Sequence, residues 1–298
     1  MRALAFAATL VAGALCAHTA AADDTPRTAV ISAYEPEWTT LKTMVEGREE
    51  VVDGGVTYVT GTIEGRPVVL FLSGIGMVNA AMNTQRALDR FAVTDIVFSG
   101  IAGGVDPDLN VGDLVIADQW GQYLYMVLAR ETADGFEVPP FFESPLPNFG
   151  MMFPHPTEVR SARAPDPEER FWFPVDPELL AIARTAAADV SLLACAGDTC
   201  LTEPPKVVVG GNGVSGSAFV DNAKFRRYTS DVFEAKVLDM ETASVAHVAY
   251  ANEVPYIAFR SLADLAGGGE GANELSIFFG LAADNAAAMV RAYLAARS

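Results

Sequence analysis

Histidine and cysteine are scarce in this sequence, with three residues of each among 298. Histidine-rich metal sites and triads that need a histidine base therefore have little material from which to form. Lysine and arginine are also few, 20 against 38 acidic residues, and the net charge is −18. A chain this acidic is a poor match for nucleic acid or for an anionic membrane. We expect neither as a partner, and no metal site.

The first residues have the pattern of a secretory signal peptide. Arg2 supplies a positive start, residues 4–16 form an apolar run too short to span a bilayer, and residues 20–22 are the small alanines that a signal peptidase requires. A membrane anchor is the alternative reading of the same run. We predict a signal peptide over 1–22 and a secreted, periplasmic mature chain over 23–298. No later run is apolar enough to predict a membrane span, so we expect no membrane partner after cleavage.

Two cysteines, Cys195 and Cys200, remain after that cleavage, and four residues typical of turns separate them. In an oxidising compartment this spacing favours a short-loop disulfide. Two unpaired thiols are the alternative. A metal site is disfavoured because no histidine lies nearby to complete it.

Short β-rich runs alternate with helical stretches along most of the chain. The clearest predicted strands and helices lie at 28–33, 77–91, 95–99, 207–214, 241–252, 256–262 and 273–296. This alternation implies βαβ units, so we predict a single α/β domain over 23–298, three layers deep, α/β/α, around a central mixed sheet. Residues 119–174 are rich in proline and aromatics and lack periodicity. We expect them to form a long insertion that is packed by its aromatic side chains.

Acidic residues follow three of the predicted strands, at the strand ends where such sheets place their active sites. They are Glu37, Glu241 and Asp264. Cleavage of an N-glycosidic bond requires a protonated leaving group, a stabilised oxocarbenium-like sugar and an activated water. Carboxyl groups in different environments can supply all three. For any one of these acids, a solvated surface charge is the ordinary alternative.

Glycine-rich turns also follow predicted strands, at 74–76 and 100–104. The first has Asn79 where a dinucleotide fingerprint requires its third glycine, and the sequence has no Walker A pattern. Glycines can serve only to permit tight turns. The adjacent Gly103 and Gly104 nevertheless indicate that a ligand approaches the backbone closely.

Five segments in order give a specific resemblance. They are SGIGMVNA at 73–80, GIAGG at 100–104, VSGSAFV at 214–220, DMETA at 239–243 and RSLAD at 260–264. Together they resemble the nucleoside phosphorylase/nucleosidase superfamily, in particular the methylthioadenosine/S-adenosylhomocysteine nucleosidases. The stretches CAGDTC at 195–200, PPKVV at 204–208 and DLAGGG at 264–269 are similar to a secreted branch, the bark-storage-protein-like members.

The resemblance, which spans about residues 28–296, implies a role for each matching residue. Asp264 would protonate purine N7, Glu241 would hold the ribose 2′- and 3′-hydroxyls, and Glu37 would orient the attacking water. Phe219 would stack on the base. The other substrate-site positions that the resemblance implies are Met240, Val220, Ala102, Gly103, Arg260 and Ile101. It also implies a homodimer that binds a purine nucleoside and uses no cofactor.

Ile101 departs from the nucleosidase pattern, which usually has serine there; the secreted branch also has isoleucine. Loss of the hydroxyl leaves the nucleophile pocket drier. The segments 35–37 and 98–100 lack the arginines with which purine phosphorylases hold phosphate. We therefore predict a secreted purine nucleosidase that hydrolyses adenosine-type nucleosides such as methylthioadenosine. A phosphate-dependent purine nucleoside phosphorylase, or a non-catalytic nucleoside-binding, uptake or storage protein, is the alternative.

Overall fold

The computed structural model describes residues 23–164, 166–269 and 271–297, and the predicted signal peptide lies outside them. The helices of this part of the chain are α1 Glu35–Met44, α2 Met77–Arg90, α3 Pro177–Ala187, α4 Ala223–Phe233, α5 Thr242–Ala251 and α6 Leu275–Ala296. The first ten strands are β1 Asp23–Ser32, β2 Glu46–Asp53, β3 Val56–Ile63, β4 Arg66–Leu72, β5 Phe91–Gly104, β6 Leu114–Ile116, β7 Gln119–Gly121, β8 Met126–Leu128, β9 Arg130–Thr132 and β10 Gly135–Glu137. The others are β11 Met152–Pro154, β12 Thr157–Val159, β13 Glu168–Arg170, β14 Trp172–Pro174, β15 Cys195–Ala196, β16 Thr199–Cys200, β17 Val207–Val209, β18 Asn212–Ser215, β19 Ala235–Asp239 and β20 Tyr256–Asp264.

One mixed sheet of twelve strands organises the fold. Its strand order is β14-β7-β18-β19-β5-β1-β4-β3-β2, and β20 joins it beside β5 and pairs with β6, which pairs with β17. Strand β5 runs parallel to both β1 and β20, and its last residues pair with antiparallel β19. The carboxyl ends of β1, β5 and β20 therefore lie together, at the edge where α/β sheets form their sites.

Helices cover both faces of this sheet. Phe259 of β20 packs against Tyr293 of α6, with ring centroids 5.2 Å apart, whereas the next residue, Arg260, donates a hydrogen bond to Thr242 of α5. Successive residues of a strand point to opposite faces, so α5 and α6 lie on opposite sides. The predicted three-layer arrangement around a central mixed sheet is confirmed.

Helix α6 is long and apolar enough to cross a membrane, by length and composition alone, which the sequence prediction overlooked. In the structure it contacts β5, β20, α1 and α3, and its buried residues include Met289, Val290 and Leu294. We therefore describe α6 as a core helix of the α/β fold.

The segment at 119–174 is built from short strands. Strands β7 and β14 pair with each other at one border of the main sheet, and between them lie the two-stranded sheets β8–β11, β9–β10 and β12–β13. Aromatic contacts join this segment to α4: Phe149 packs against Tyr228, and Phe171 stacks on Phe233. The aromatics thus pack the segment against the body of the domain.

Two elements differ from the sequence prediction, each for a local reason. The strand predicted at 207–214 is divided into β17 and β18, because Gly210 and Gly211 both take positive φ angles that bend the chain. Strand β2 was not predicted. Its eight residues are all exposed, so it lacks the alternating pattern of a half-buried strand, and it pairs only with β3 among the described strands.

Strands β15 and β16 form a small hairpin whose ends are joined by a disulfide between Cys195 and Cys200. Both cysteines are exposed. The backbone N–H of Leu201 donates to the carbonyl of Ala194 at 2.8 Å and closes the hairpin. We call residues 193–201 the disulfide hairpin.

Candidate active site

A cavity of about 500 Å³ opens at the carboxyl ends of β1, β5 and β20. Its lining includes every predicted site residue except Arg260: Glu37, Ile101, Ala102, Gly103, Phe219, Val220, Met240, Glu241 and Asp264. The structure thus brings together residues that lie more than 200 positions apart in the sequence.

Backbone N–H groups hold Glu37 near the start of α1. Its Oε2 accepts hydrogen bonds from Ala33 at 2.9 Å and Tyr34 at 3.0 Å, and its Oε1 accepts one from Ile101 at 2.9 Å. Burial raises the pKa of Glu37, while the charge of Arg260 and these hydrogen bonds act to lower it. A carboxylate oriented in this way and shifted upward in pKa is suited to take a proton from water.

Glu241 occupies the N-cap position of α5, and its side chain reaches away from the helix to the glycine turn before α2. Its Oε1 accepts a hydrogen bond from Gly76 at 2.7 Å. The turn requires glycine because Gly74 and Gly76 have φ angles of 79° and 95°. Burial, followed by the charge of Asp239, raises the pKa of Glu241 to about 7, against the opposing effect of Arg260. Glu241 therefore changes its protonation state near neutral pH.

Asp264 ends β20, where the chain turns away from the sheet. Its Oδ1 accepts a hydrogen bond from Ala266 at 2.7 Å. A Cβ at position 103 would lie 3.1 Å from this oxygen, so Gly103 leaves room for the carboxyl group. Burial raises the pKa of Asp264, while the Ala266 hydrogen bond lowers it. A carboxyl group whose protonated form is favoured in this way can donate a proton to a leaving group.

Arg260 lies beneath the cavity and supports its acids. The residue is only 1% exposed. Its Nε and Nη2 donate to Thr242 Oγ1 at 2.9 and 2.8 Å, and Nη1 donates to the carbonyl of Ile101 at 3.2 Å. Nη2 also pairs with Asp239 at 2.8 Å, and the guanidinium lies 4.1 Å from the ring centroid of Phe98. All three guanidinium nitrogens are hydrogen-bonded, so Arg260 fixes the backbone at Ile101 and the start of α5 beneath the cavity.

Asp239 lines the cavity as well, although the sequence analysis did not select it. Its Oδ1 accepts from the backbone N–H groups of Glu241 and Thr242, each at 3.1 Å, and from the hydroxyl of Ser215. Its Oδ2 accepts from the hydroxyl of Thr242. These bonds tie Asp239 to the start of α5, where it fixes the backbone that carries Glu241. Its position two residues before Glu241 is the sequence feature from which Asp239 could have been selected.

Side chains from well-separated segments complete the cavity and are mostly apolar. The residues that sequence reasoning missed, besides Asp239, are Ala33, Tyr34, Ile75, Ala218, Leu238, Leu275, Ser276 and Phe279. Tyr34 and Phe279 meet edge to face, with ring centroids 6.4 Å apart. Phe219 is 57% exposed and stands at the mouth. The cavity thus combines an acidic floor with apolar walls.

Cations are missing from the described lining of this cavity. It holds four carboxyl residues and no lysine, arginine or histidine. In the described parts of the chain, no group of three or more His, Cys, Asp or Glu residues is placed to hold a metal ion. A dianion such as phosphate would therefore meet carboxylates here and no cationic partner.

Comparison with known proteins decides the family, because the sequence profile of the Phosphorylase superfamily matches residues 27–295. This chain belongs to the Phosphorylase superfamily. The family resemblance found from sequence segments is thus confirmed. The 5′-methylthioadenosine/S-adenosylhomocysteine nucleosidase of Geobacillus thermodenitrificans is 32% identical over 242 residues, which are 81% of this chain and 85% of that protein. The enzyme of the same name from Psychromonas ingrahamii is 29% identical over 269 residues, 88% and 95% of the two chains.

Solved structures agree with this placement. A 5′-methylthioadenosine/S-adenosylhomocysteine nucleosidase from Neisseria meningitidis, in complex with methylthio-immucillin-A, matches with a TM-score of 0.67 and 27% identity over 90% of this chain and 98% of that chain. The futalosine hydrolase of Helicobacter pylori has the same fold, with a TM-score of 0.67 and 22% identity over 90% and 97% of the two chains. Three of these four relatives are named as nucleosidases and the fourth as a hydrolase.

Proposed function

We propose that this chain is a purine nucleosidase that hydrolyses the N-glycosidic bond of adenosine-type nucleosides such as methylthioadenosine. The observation that carries the proposal is the convergence of Glu37, Glu241 and Asp264 on one cavity. Each acid has a raised pKa and a different set of hydrogen-bond partners. The names of its relatives in the superfamily support the same reaction.

The three acids divide the chemistry between them. Asp264, protonated, donates its proton to N7 of the purine as the bond between the base and the sugar C1′ breaks. Glu241 accepts hydrogen bonds from the ribose 2′- and 3′-hydroxyls and holds the sugar as it gains oxocarbenium character. Glu37 takes a proton from water as the water oxygen bonds to C1′. The products are the free base and the sugar.

Water is favoured over phosphate as the nucleophile. Arg260 is the cation that pairs with the acids of the site, and its nitrogens are bonded to Thr242, Asp239 and Ile101. Phosphate entering beside Glu37 would meet a carboxylate with no compensating cation in the described lining.

The walls favour an uncharged 5′ substituent. Tyr34, Ile75, Leu275 and Phe279 form an apolar surface on the cavity. A 5′-phosphate would lose its hydration there without gaining a charged partner, whereas a methylthio group would bury apolar area. This supports methylthioadenosine over a nucleotide as substrate.

A release assay tests the reaction. The protein is incubated with methylthioadenosine, adenosine or inosine, with and without phosphate, and the free base is measured. We expect base from methylthioadenosine in both buffers, and Glu37→Gln to reduce its release at least a hundredfold. Asp284→Asn is a matched control outside the cavity and should leave release unchanged. Strict dependence on phosphate would support the phosphorylase instead. Nucleoside binding without release in either buffer would support the binding or storage protein.

We also propose export to the periplasm, with removal of residues 1–22 and formation of the Cys195–Cys200 disulfide in the cell. The exposed, paired cysteines are consistent with an oxidising compartment. Cell fractionation followed by mass measurement of the purified chain tests all three points. Retention in the cytoplasm as an unprocessed chain would contradict them.

A homodimer is the proposed assembly. The segment at 119–174 exposes large apolar side chains, among them Tyr125, Leu128, Phe141 and Met151, which a second copy could cover. Sedimentation equilibrium measures the mass directly. A single species of monomer mass at micromolar concentration would contradict the proposal.

A further inference from the structure

The first turns of α6 form one side of the cavity. Leu275, Ser276 and Phe279 line it, and Phe279 also meets the ring of Tyr34. We call Leu275, Ser276 and Phe279 the α6 wall. Its position decides how much room the substrate has.

The opposite side of the same turns packs against the disulfide hairpin. Phe278 and Leu281 are 4% and 3% exposed and form a separate apolar cluster with Val111. Ala196 and Leu201 of the hairpin pack onto that cluster. The α6 wall and the hairpin contacts therefore lie on two sides of one short stretch of helix.

A second contact fixes the hairpin to α6 one turn further along. Asn285 is fully buried, its Oδ1 accepts from the backbone N–H of Leu193 at 2.6 Å, and its Nδ2 donates to the carbonyl of Leu193 at 3.1 Å. This pair of bonds anchors the base of the hairpin, where Leu201 lies beside Ala194 and packs against the backbone of Gly112.

The chain before α6 is held at some positions and open at others, with Gly267 and Gly268 packed against Asn222 and Arg226. In its described part, a Cβ placed on Gly269 or Gly271 would have no neighbour within 4 Å. The hydrogen bond from Asn273 to Asp221, 3.2 Å long, lies on the exposed surface. Leu265 of this preceding chain also packs on the apolar cluster beneath α6, so it shares the support of the wall with the hairpin.

We propose that the disulfide hairpin is a positioning element for the substrate cavity, and that its Cys195–Cys200 bond keeps Leu201 in place against the α6 wall's supporting cluster. Strands β15 and β16 contain two residues each, and a ladder that short is marginal without a covalent link. Once the bond is opened, Leu201 loses its fixed position, Phe278 and Leu281 lose a neighbour, and the α6 wall moves more freely. The effect on turnover rests on the nucleosidase function proposed above.

Reduction of the native protein is the first test. A dithiol supplies two electrons and two protons to the Cys195–Cys200 bond, which becomes two thiols, and the dithiol becomes a cyclic disulfide. We expect KM for methylthioadenosine to rise about three- to tenfold while kcat stays within twofold, because the wall binds substrate and does not take part in proton transfer. The double variant Cys195→Ser/Cys200→Ser should show the same KM without reductant and no further change with it.

Leu201→Ala separates the packing from the bond itself. It keeps the disulfide and removes the side chain that touches the cluster, so we expect the same rise in KM. Thr132→Ala is the matched control, since Thr132 holds another exposed hairpin, that of β9 and β10, through a hydrogen bond to Gly135. Its KM should not change. An unchanged KM in both the reduced protein and Leu201→Ala, or an equal rise in Thr132→Ala, would overturn the inference.

Hydrogen exchange tests the inference independently of activity. In the unliganded protein we expect backbone amides of residues 277–281 to exchange at least tenfold faster after reduction, while those of α2 do not change. If no base is released but this acceleration is seen, the nucleosidase proposal fails and the positioning role stands. If exchange in α6 is unaffected by reduction, the positioning role is wrong whatever the activity.

Discussion

The guanidinium of Arg260 lies 2.8 Å from a carboxylate oxygen of Asp239 but 3.7 Å from that of Glu241. The buried cation is therefore closer to the acid that fixes the start of α5 than to the acid that faces the substrate. Glu241 retains a raised pKa as a result, because burial and the neighbouring Asp239 outweigh the more distant positive charge. Asp239 thus makes the closer of the two carboxylate contacts with Arg260.

The pKa of Glu241 predicts how stability depends on pH. Its value rises from 4.5 to about 7 on folding, so the folded chain binds the proton more tightly, and the free energy of unfolding decreases as pH rises from about 5 to 8. Glu241→Gln cannot titrate and still offers an acceptor to Gly76. We expect it to be more stable than the wild-type protein at pH 8 and to vary less between pH 6 and 8, as measured by urea denaturation.

Other groups contribute to the same curve, so the comparison between variants is what matters. Burial lowers the pKa of His247, which costs stability as pH falls below about 6.5. This contribution is common to both proteins and cancels in the difference. Glu178→Gln, on the exposed first turn of α3, is the control and should follow the wild-type curve. A Glu241→Gln variant with the same dependence on pH as the wild-type protein would contradict the raised pKa.

Asp264→Asn should abolish turnover and preserve binding. Asparagine still accepts the hydrogen bond from Ala266 but cannot deliver a proton to the leaving base, so we expect kcat to fall by about 10² to 10⁴. The dissociation constant for adenine should change less than about fivefold, as measured by calorimetry. Asp231→Asn, an exposed acid of α4, is the matched control and should retain its activity. Full activity in Asp264→Asn would rule out its proposed role.

Substitution of Ile101 tests how the attacking water is positioned. Its backbone bonds both Glu37 and Arg260, while its side chain lines the cavity. Ile101→Ser adds a hydroxyl beside Glu37, and we expect kcat for hydrolysis to rise about two- to tenfold if water placement limits the rate. Ile101→Val shortens the side chain without adding a hydroxyl and should leave kcat nearly unchanged. Equal rates in the serine and valine variants would show that the hydroxyl has no effect.

Stability away from the site depends on an ion pair near the end of α6, between the buried Asp95 and the partly exposed Arg297. Asp95 is 2% exposed, pairs with Arg297 at 2.5 Å and accepts hydrogen bonds from the hydroxyls of Thr28 and Thr94. Arg297→Ala leaves this carboxylate without its cation, and we expect the free energy of unfolding to fall by about 2 to 4 kcal/mol, with KM and kcat unchanged. The double variant Asp95→Asn/Arg297→Ala should recover part of the loss, since no unpaired charge remains. A loss as large in the double variant would contradict this.

The three acids of the site could be selected from the sequence because the feature that marks them is local. Glu37, Glu241 and Asp264 each follow an apolar strand, and parallel strands bring their carboxyl ends together. The segment 239–243 also contains Asp239, which was not selected from the sequence because its role depends on its ion pair with Arg260. Asp239 and Arg260 lie on different strands, β19 and β20, and meet only in the folded protein. Hydrophobic periodicity does not predict which side chains of different strands meet.

The apolar residues that line the cavity could not be predicted from the sequence, for a similar reason. Periodicity shows that α6 has an apolar surface, but Leu275 and Phe279 face the cavity while Phe278 faces the disulfide hairpin, and both sides are apolar. Strand β2 was not predicted from the sequence because none of its residues is buried. Burial patterns locate elements that contribute to the core, and β2 contributes only backbone pairing.

Strand β2 has a consequence for how the protein behaves in concentrated solution. As a border of the sheet it presents unpaired backbone groups, and an edge of this kind can recruit strands from other molecules into aggregates. Glu46, Glu49, Glu50 and Asp53 stand along it; Arg48 is the basic residue within the strand, and two of the acids form salt bridges outside it, Glu50 with Lys42 and Asp53 with Arg90. The chain as a whole is also acidic, with a net charge of −18. Two copies brought together at this edge would repel each other while these carboxyl groups are ionised. Solubility should therefore be lost first in mild acid, when the carboxyl groups are neutralised and that repulsion disappears.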